Sequence, residues 1–288
     1  MSLLTGLLKL YYRSGLRGSY RLTDILSHRI DSLKCVPIKT ESGILYADLR
    51  NNSSRSLLAN PKSNSGEDKI MRRFVRPGDT VFDIGAHLGF YTLILSELAG
   101  GSGKVYAFEP NSELLPSLKK TLAPLSNVQL LRIALSDRKG MTDLFVPEDA
   151  SMASLTDWTH GTAGNVHQVA CEMQRLDDLV ESGQLPEPDF IKCDVEGAEL
   201  SVFNGGIKTL DSTESPVIMF EVNAKAAAAF GRDTAAYFDF LEALAKPGYK
   251  FFEVAADGIT ELGSKNLVFT NVIAVPKTKI DLCRDILR

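Results

Sequence analysis

From Thr80 onward, short apolar runs alternate with stretches of helical periodicity. Val81, Phe82 and Ile84 are bulky and β-prone and end at Gly85, the pattern of a short buried strand. A helical pattern over about Phe90 to Ala99 follows, then a turn rich in glycine at Gly100, Gly101 and Gly103. Lys104 to Pro110 reads as a second strand, Val128 to Ala134 as a third, the run from Asp189 as a fourth and Pro216 to Val222 as a fifth. Helical patterns run from the glutamates after Asp194 to about Leu210, and from about Thr234 to Ala245. Lys250 to Val254 and Leu267 to Val275 complete a set of seven predicted strands. Strands that alternate with helices predict an α/β fold with a mostly parallel, doubly wound sheet. The last two strands, joined by an Asp257-Gly258 turn and a polar stretch, read as a hairpin that makes one strand antiparallel. Asn51 to Gly66, rich in Asn and Ser, and Glu148 to His167 read as loops placed to cover a site. Ser151, Met152, Ser154, Trp158 and His160 are the loop residues with chemistry to offer. Trp158 suits either stacking on a sugar ring or packing the loop down, and packing is the preferred reading.

At 288 residues the chain holds one sheet flanked by helices plus extra elements, and is too short for two full-sized enzymes. A formal net charge of −4 hides an asymmetry: Lys9, Arg13, Arg17, Arg21, Arg29 and Lys34 face only Asp24 and Asp31 in the first segment. Leu3, Leu4, Leu7, Leu8 and Leu10 lie beside them, so residues 1–48 read as a basic, Leu-rich helical extension and 49–288 as the main domain. Packing on its own domain is the preferred role of the extension. Contact of residues 1–34 with a membrane surface or a protein partner is the other. The run is too short to span a bilayer and no convincing cleavage site follows, which predicts a cytoplasmic protein. Cys35, Cys171, Cys193 and Cys283 are scattered without metal-ligand spacing, so neither a disulfide framework nor zinc is expected. The acidic body carries no basic stripe with interleaved aromatics, which argues against nucleic acid as a substrate. Oligomeric state has no signal in the sequence.

Candidate chemistry gathers where strands end. Asp83-Ile-Gly-Ala-His-Leu-Gly89 joins the first strand to its helix with the spacing Asp-x-Gly-x-x-x-Gly. His87 and Phe90 stand where a dinucleotide fingerprint requires glycines, so NAD is disfavoured and a cofactor without a pyrophosphate is favoured. An ordinary strand-to-helix turn with an incidental Asp is the plain alternative. Glu109 ends the second strand about 20 residues beyond the loop, the place from which a carboxylate binds a ribose diol by two charge-assisted hydrogen bonds. Helix capping is the alternative, but Asn111 and Ser112 already serve it. Asp194 and Glu221 close the fourth and fifth strands, so Asp83, Glu109, Asp194 and Glu221 are delivered towards one edge. Compensation of a helix dipole accounts for Glu196 and Glu199, and explains Glu199 better than it explains Asp194.

Taken together, Pro77-Gly-Asp79, Asp83-Ile-Gly-Ala-His-Leu-Gly-Phe-Tyr-Thr92, Phe108-Glu-Pro110, Ala134-Leu-Ser-Asp137, Leu176-Asp-Asp-Leu179 and Ile191-Lys-Cys-Asp-Val-Glu-Gly-Ala-Glu199 give the chain a family likeness. It resembles the FkbM-type S-adenosylmethionine-dependent methyltransferases, over about half its length. The resemblance implies a Rossmann-like class I methyltransferase fold, and a cofactor site of Asp83, Gly85, Ala86, His87, Gly89, Glu109, Ser136 and Asp194. The loop would hold the methionine portion and Glu109 the ribose, with Asp194 near the reacting methyl. His87 stands where the family often has Asn, and Pro116 falls at the start of the second helix, where proline is tolerated. The implied reaction is O-methylation of a sugar, lipid or secondary metabolite, the acceptor being a small molecule or a glycan. If the acceptor is a hydroxyl, Asp194 is the leading base, with Glu221, His160 and His167 as others. No metal is expected, although clustered carboxylates leave a divalent cation as a minor alternative. A catalytically silent cofactor-binding or interaction module on the same fold is the competing class.

Overall fold

The chain, in a computed structural model, is described over residues 3–13, 19–61 and 66–288. Arg17 of the basic segment and residues 62–65 of the first expected loop lie outside the described residues. Helices α1 (Leu3–Arg13) and α2 (Ser19–Arg29) lead to a hairpin of β1 (Val36–Lys39) and β2 (Ile44–Ala47), then to α3 (Asn52–Ala59) and α4 (Gly66–Phe74). The main body begins with β3 (Thr80–Ile84), α5 (Phe90–Ala99), β4 (Lys104–Phe108), α6 (Leu115–Leu122) and β5 (Val128–Leu131). A side excursion follows through β6 (Ile133–Leu135), β7 (Gly140–Val146), β8 (His167–Gln174) and α7 (Leu176–Glu181). The body resumes with β9 (Phe190–Cys193), α8 (Glu199–Gly205), α9 (Ile207–Leu210), β10 (Val217–Asn223), α10 (Ala224–Ala229) and α11 (Ala235–Glu242). Strands β11 (Lys250–Ala255), β12 (Gly258–Glu261) and β13 (Phe269–Val275) close it.

The main sheet runs β12-β11-β13-β10-β9-β3-β4-β5. From β10 to β5 every neighbouring pair is parallel, and both faces carry apolar layers. That double burial explains why Val81, Phe82 and Ile84, or Phe190, Ile191 and Cys193, read as continuous apolar runs rather than as alternating ones. The sheet is the doubly wound α/β architecture that was expected, with eight strands in place of seven. The added strand is β12, which turns back on β11 through Ala256 and Asp257 to occupy the outer edge. β13 inserts antiparallel between β10 and β11, so two strands, β12 and β13, oppose the parallel set.

The expected third strand divides at the exposed Arg132, with β5 staying in the main sheet and β6 passing to a three-stranded sheet of order β6-β8-β7. One face of that sheet buries Ala134, Leu144, Val146, Cys171 and Met173. The first expected loop is largely helical, since α3 and the start of α4 occupy it. Helix α6 carries Pro116 in its first turn, where the missing N–H goes unneeded.

The strand order reverses between β3 and β9, and the crevice at their carboxyl ends is where open α/β sheets bind ligands. Elements from the first segment cover that end. Leu8, Leu33, Val36, Ile38, Leu45 and Leu58 form one apolar cluster with Leu88, Leu93 and Leu114 of the body. On α1, Leu8 is buried while Leu7 and Leu10 remain exposed. No helix among the described residues is long and apolar enough to cross a membrane.

Candidate active site

The turn out of β3 depends on glycine. Gly85 sits at φ +85°, and a Cβ there would lie 1.9 Å from the Asp194 carbonyl oxygen, so only glycine lets this loop pass so close to the end of β9. Gly85 N–H and Ala86 N–H both donate to the Phe108 carbonyl at 3.0 Å, which pins the loop over β4. His87 takes φ +52°, the left-handed region where Asn is also at home, and its N–H donates to Glu109 Oε2 at 2.7 Å. The Asn111 N–H donates to the other oxygen, Oε1, at 2.8 Å. Two backbone donors therefore aim the Glu109 carboxylate while leaving lone pairs on both oxygens. Burial still outweighs them and pushes Glu109 up to about 7. Burial likewise pulls His87 down to about 4, so its ring is neutral at pH 7. Asn51 Nδ2 lies 3.3 Å from His87 Nε2, and Asn51 Oδ1 accepts from Ala150 N–H at 3.2 Å. The amide thus ties the segment before α3, the glycine loop and the loop after β7 together.

Behind the loop lies a charge cluster centred on Lys192, the penultimate residue of β9. Its ammonium is 3.1 Å from Asp194 Oδ2 and 3.9 Å from Asp83 Oδ1, and sits 4.8 Å from the Tyr91 ring centroid. Asp83 is fully buried, and its Oδ2 accepts from Thr92 Oγ at 2.5 Å while Oδ1 has no hydrogen-bond partner. Burial raises the Asp83 carboxyl above its ordinary range in spite of Lys192 and Thr92. The neighbouring carboxylates raise Lys192, against its own desolvation, so it stays charged. Beyond Asp194, Glu196 occupies a left-handed turn at φ +54° and comes together with Asp194 and Glu221, one carboxylate oxygen from each within 4.8 Å of the others. Burial first, then the neighbouring carboxylates, push Glu196 up to about 10 and Glu221 up to about 8. Glu199 does something different. Its Oε1 accepts from Val195 N–H at 2.9 Å and Gly197 N–H at 3.4 Å, the capping of a helix start that its position suggested.

One cavity of about 410 Å³ draws these features together. Gly85, Ala86, His87, Glu109 and Asp194 line it. Asp83, Gly89 and Ser136 stand behind the lining: Asp83 under Lys192, Gly89 at the start of α5, and Ser136 buried with its hydroxyl on Asp137 Oδ1. Glu221, expected among the catalytic residues, does not line the cavity; it is grouped with Asp194 and Glu196, which do. Both covering segments contribute walls, Ser53, Ser54 and Leu57 from α3 and Ala150, Ser151, Ala153, Ser154 and Leu155 from the loop after β7, while Met152 does not line it. His160 and His167 are exposed and do not line it; His167 pairs instead with Glu113 Oε1 at 2.9 Å. Trp158 packs its loop, its indole N–H donating to the Met152 carbonyl at 3.2 Å. Lys192, Tyr91 and Glu196 line the cavity without having been singled out for it from the sequence. A lysine between Ile191 and Cys193 in a buried strand was the available signal, because such a charge requires a partner.

The chain is 31% identical over 164 residues to "Hexuronic acid methyltransferase AglP" of Haloferax volcanii, covering 53% of this chain and 62% of that protein. It is 27% identical over 165 residues to "2-O-methyltransferase NoeI" of Sinorhizobium fredii, covering 50% of this chain and 66% of that one. The match therefore spans just under two thirds of either curated relative. Among solved structures, a SAM dependent methyltransferase from Aquifex aeolicus superposes with a TM-score of 0.39 at 16% identity, over 73% of this chain and 87% of that one, too loosely to bear on chemistry. The family model of the methyltransferase FkbM domain matches residues 83–251, from the aspartate of the glycine loop to β11 and so across every wall the body contributes to the cavity. The chain belongs to the FkbM methyltransferase family.

Proposed function

We propose that the chain transfers the methyl group of S-adenosylmethionine to a hydroxyl of a sugar or sugar-bearing acceptor. The observation that carries this reading is the convergence of the glycine loop, Glu109 and Asp194 on one cavity. The residues fit the cofactor. Gly85, Ala86 and His87 leave room for its amino-acid portion, Glu109 offers two oriented oxygens to a ribose diol, and Pro110, Ile133, Leu135 and Leu144 form an apolar wall for a purine. Relatives named for a hexuronic acid and for a 2-O position support an oxygen nucleophile. When bound, the cofactor supplies an electrophilic sulfonium methyl and leaves as a neutral thioether. The chain's own work is chiefly positioning, which alone can remove about 7–11 kcal/mol from such a barrier. Lys192 fixes the Asp194 carboxylate at the cavity wall, and Asp194 takes the acceptor's proton as the new bond forms. Ser53, Ser54, Ser151 and Ser154, from the two covering segments, line the same space; the Ser151 and Ser154 hydroxyls donate to Asp149 Oδ1 and to the Glu196 carbonyl, which leaves their oxygens to accept from a polyol.

Calorimetric titration should show S-adenosylmethionine and S-adenosylhomocysteine binding and NAD failing to bind. No uptake of either sulfur compound by the folded chain would sink the enzyme reading. Methyl transfer from labelled cofactor into a panel of sugars and uronic acids then identifies the acceptor. Glu109→Ala should weaken cofactor affinity by about 1.5–3 kcal/mol through two lost charge-assisted hydrogen bonds. A pH series sharpens this test. The ionised Glu109 accepts the diol and its protonated form does not, so with the carboxyl at about 7 the affinity should be full above that pH. Below it, affinity should fall roughly tenfold per pH unit. In Glu109→Gln that slope should vanish, and a slope that persists there would remove Glu109 from the ribose.

A further inference from the structure

We propose that Asp194, Glu196 and Glu221 bind a hard divalent cation, Mg²⁺ or Mn²⁺, and that this ion holds the acceptor hydroxyl beside the methyl; the second part rests on the methyltransferase reading, the first does not. The carboxylates come from three places: just past β9, the left-handed turn that follows, and within β10 near its end. One oxygen from each lies within 4.8 Å of the others. Around a Mg²⁺ with bonds of about 2.1 Å, neighbouring ligand oxygens stand about 3.0 Å apart and opposite ones about 4.2 Å, so three oxygens within 4.8 Å of one another close on an ion through side-chain movements of about an ångström or two.

A second observation does not depend on spacing. The Glu221 side chain is buried within this cluster, and its Oε1 is sealed from solvent with no hydrogen-bond partner among the described residues. Buried carboxylate oxygens are normally met by donors, and a cation supplies what the missing donor would. Lys192 does not fill that role: its ammonium is engaged by Asp194 and Asp83, and no ion pair joins Glu196 or Glu221 among the described residues. Oxygen-only donors select Mg²⁺ or Mn²⁺ over thiophilic metals. Mg²⁺ also keeps several positions for water and substrate oxygens, and Asp194 and Glu196 line the cavity in which an acceptor would sit.

A cation here would serve the chemistry by lowering the pKa of the hydroxyl it holds. The hydroxyl loses its proton to Asp194 and then to solvent, and its oxygen pair forms the new C–O bond. The C–S bond breaks with its electron pair returning to sulfur. Each turnover thus yields one ether, one neutral thioether and one proton.

The test is to strip the full chain with chelator and titrate it with MnCl₂, following free Mn²⁺ by electron paramagnetic resonance. One ion per chain is expected. Glu196→Gln and Glu221→Gln should each weaken uptake roughly tenfold or more, with Glu221→Asp replacing the latter should it fail to fold by circular dichroism. Absence of saturable uptake at millimolar Mn²⁺, or unchanged affinity in any folded variant, would overturn the site. Cofactor binding by the metal-free chain is measured in parallel to separate the two claims. Cofactor binding without Mn²⁺ uptake removes the cation alone, whereas Mn²⁺ uptake without cofactor binding removes the methyltransferase reading alone.

Discussion

Replacing Lys192 with methionine is expected to lower folding stability by about 3–5 kcal/mol, the range for stripping one partner from a buried charge pair. In a chain of this size that corresponds to a fall of roughly 6–20 °C in thermal midpoint. Asp83 is the reason. It is fully buried, its Oδ1 has no hydrogen bond, and the Lys192 ammonium at 3.9 Å is the cation that compensates it. Methionine keeps the length and apolar stem of lysine, so packing is not what is lost.

The pH dependence separates this account from a simple packing defect. Burial already holds the Asp83 carboxyl above its ordinary range, and removing Lys192 raises it further. The folded variant then keeps a proton that the folded native chain has already released, so its stability relative to the native chain falls as pH rises from the raised Asp83 value of the native chain towards the still higher one of the variant. Below that range Asp83 is protonated in both folded proteins, and the difference between the two proteins should shrink. Adding Asp83→Asn to Lys192→Met should recover most of the loss, because removing both charges of a buried pair is often close to neutral. A double variant no more stable than the single one would show that the charge pair is not the cause.

Why Lys192 escaped notice in the sequence, while its neighbours did not, follows from what each kind of signal reports. Helix α5 and strands β3, β4, β9 and β10 were legible because burial on both faces leaves a nearly unbroken apolar run, and Gly85 and Gly89 mark where the loop lies. Strands β7 and β8 are half-exposed and carry their apolar residues at alternate positions, Leu144 and Val146, Cys171 and Met173, amid polar neighbours. That alternation was present but diluted by the polar residues around it. The short β12, with Gly258 and Ile259 buried and Thr260 and Glu261 exposed, offers too little pattern to predict an edge strand. Asp83, Glu109, Asp194 and Glu221 were legible as strand-end carboxylates, but which of them faces the cavity depends on side-chain direction. Asp83 points under the loop to Thr92 and Lys192, whereas Glu109 is turned by two backbone donors to the cavity wall. Glu196 reads in sequence as a helix-start glutamate. The left-handed turn that swings it towards Glu221, leaving Glu199 to cap the helix, is set by β9 and β10 lying side by side, a tertiary fact.

Asp194→Asn is expected to lower turnover by about 10²–10⁴, the usual contribution of a positioned proton acceptor, while changing cofactor affinity by no more than about threefold. The geometry favours this split. The Asp194 side chain is 30% exposed and lines the cavity, against 0% for Asp83, so an acceptor hydroxyl can reach it, and the Lys192 ammonium at 3.1 Å holds it in one place. Asparagine preserves the shape but neither accepts a proton at neutral pH nor completes a trio of anionic ligands. Equal losses in turnover and in cofactor binding would make Asp194 a cofactor contact alone. The two remaining roles, base and cation ligand, separate on added metal. A base that has lost its carboxylate cannot be restored by Mn²⁺, so its turnover should stay low at every concentration. A weakened ligand set should recover turnover as Mn²⁺ is raised, because the asparagine carbonyl still offers one oxygen beside Glu196 and Glu221.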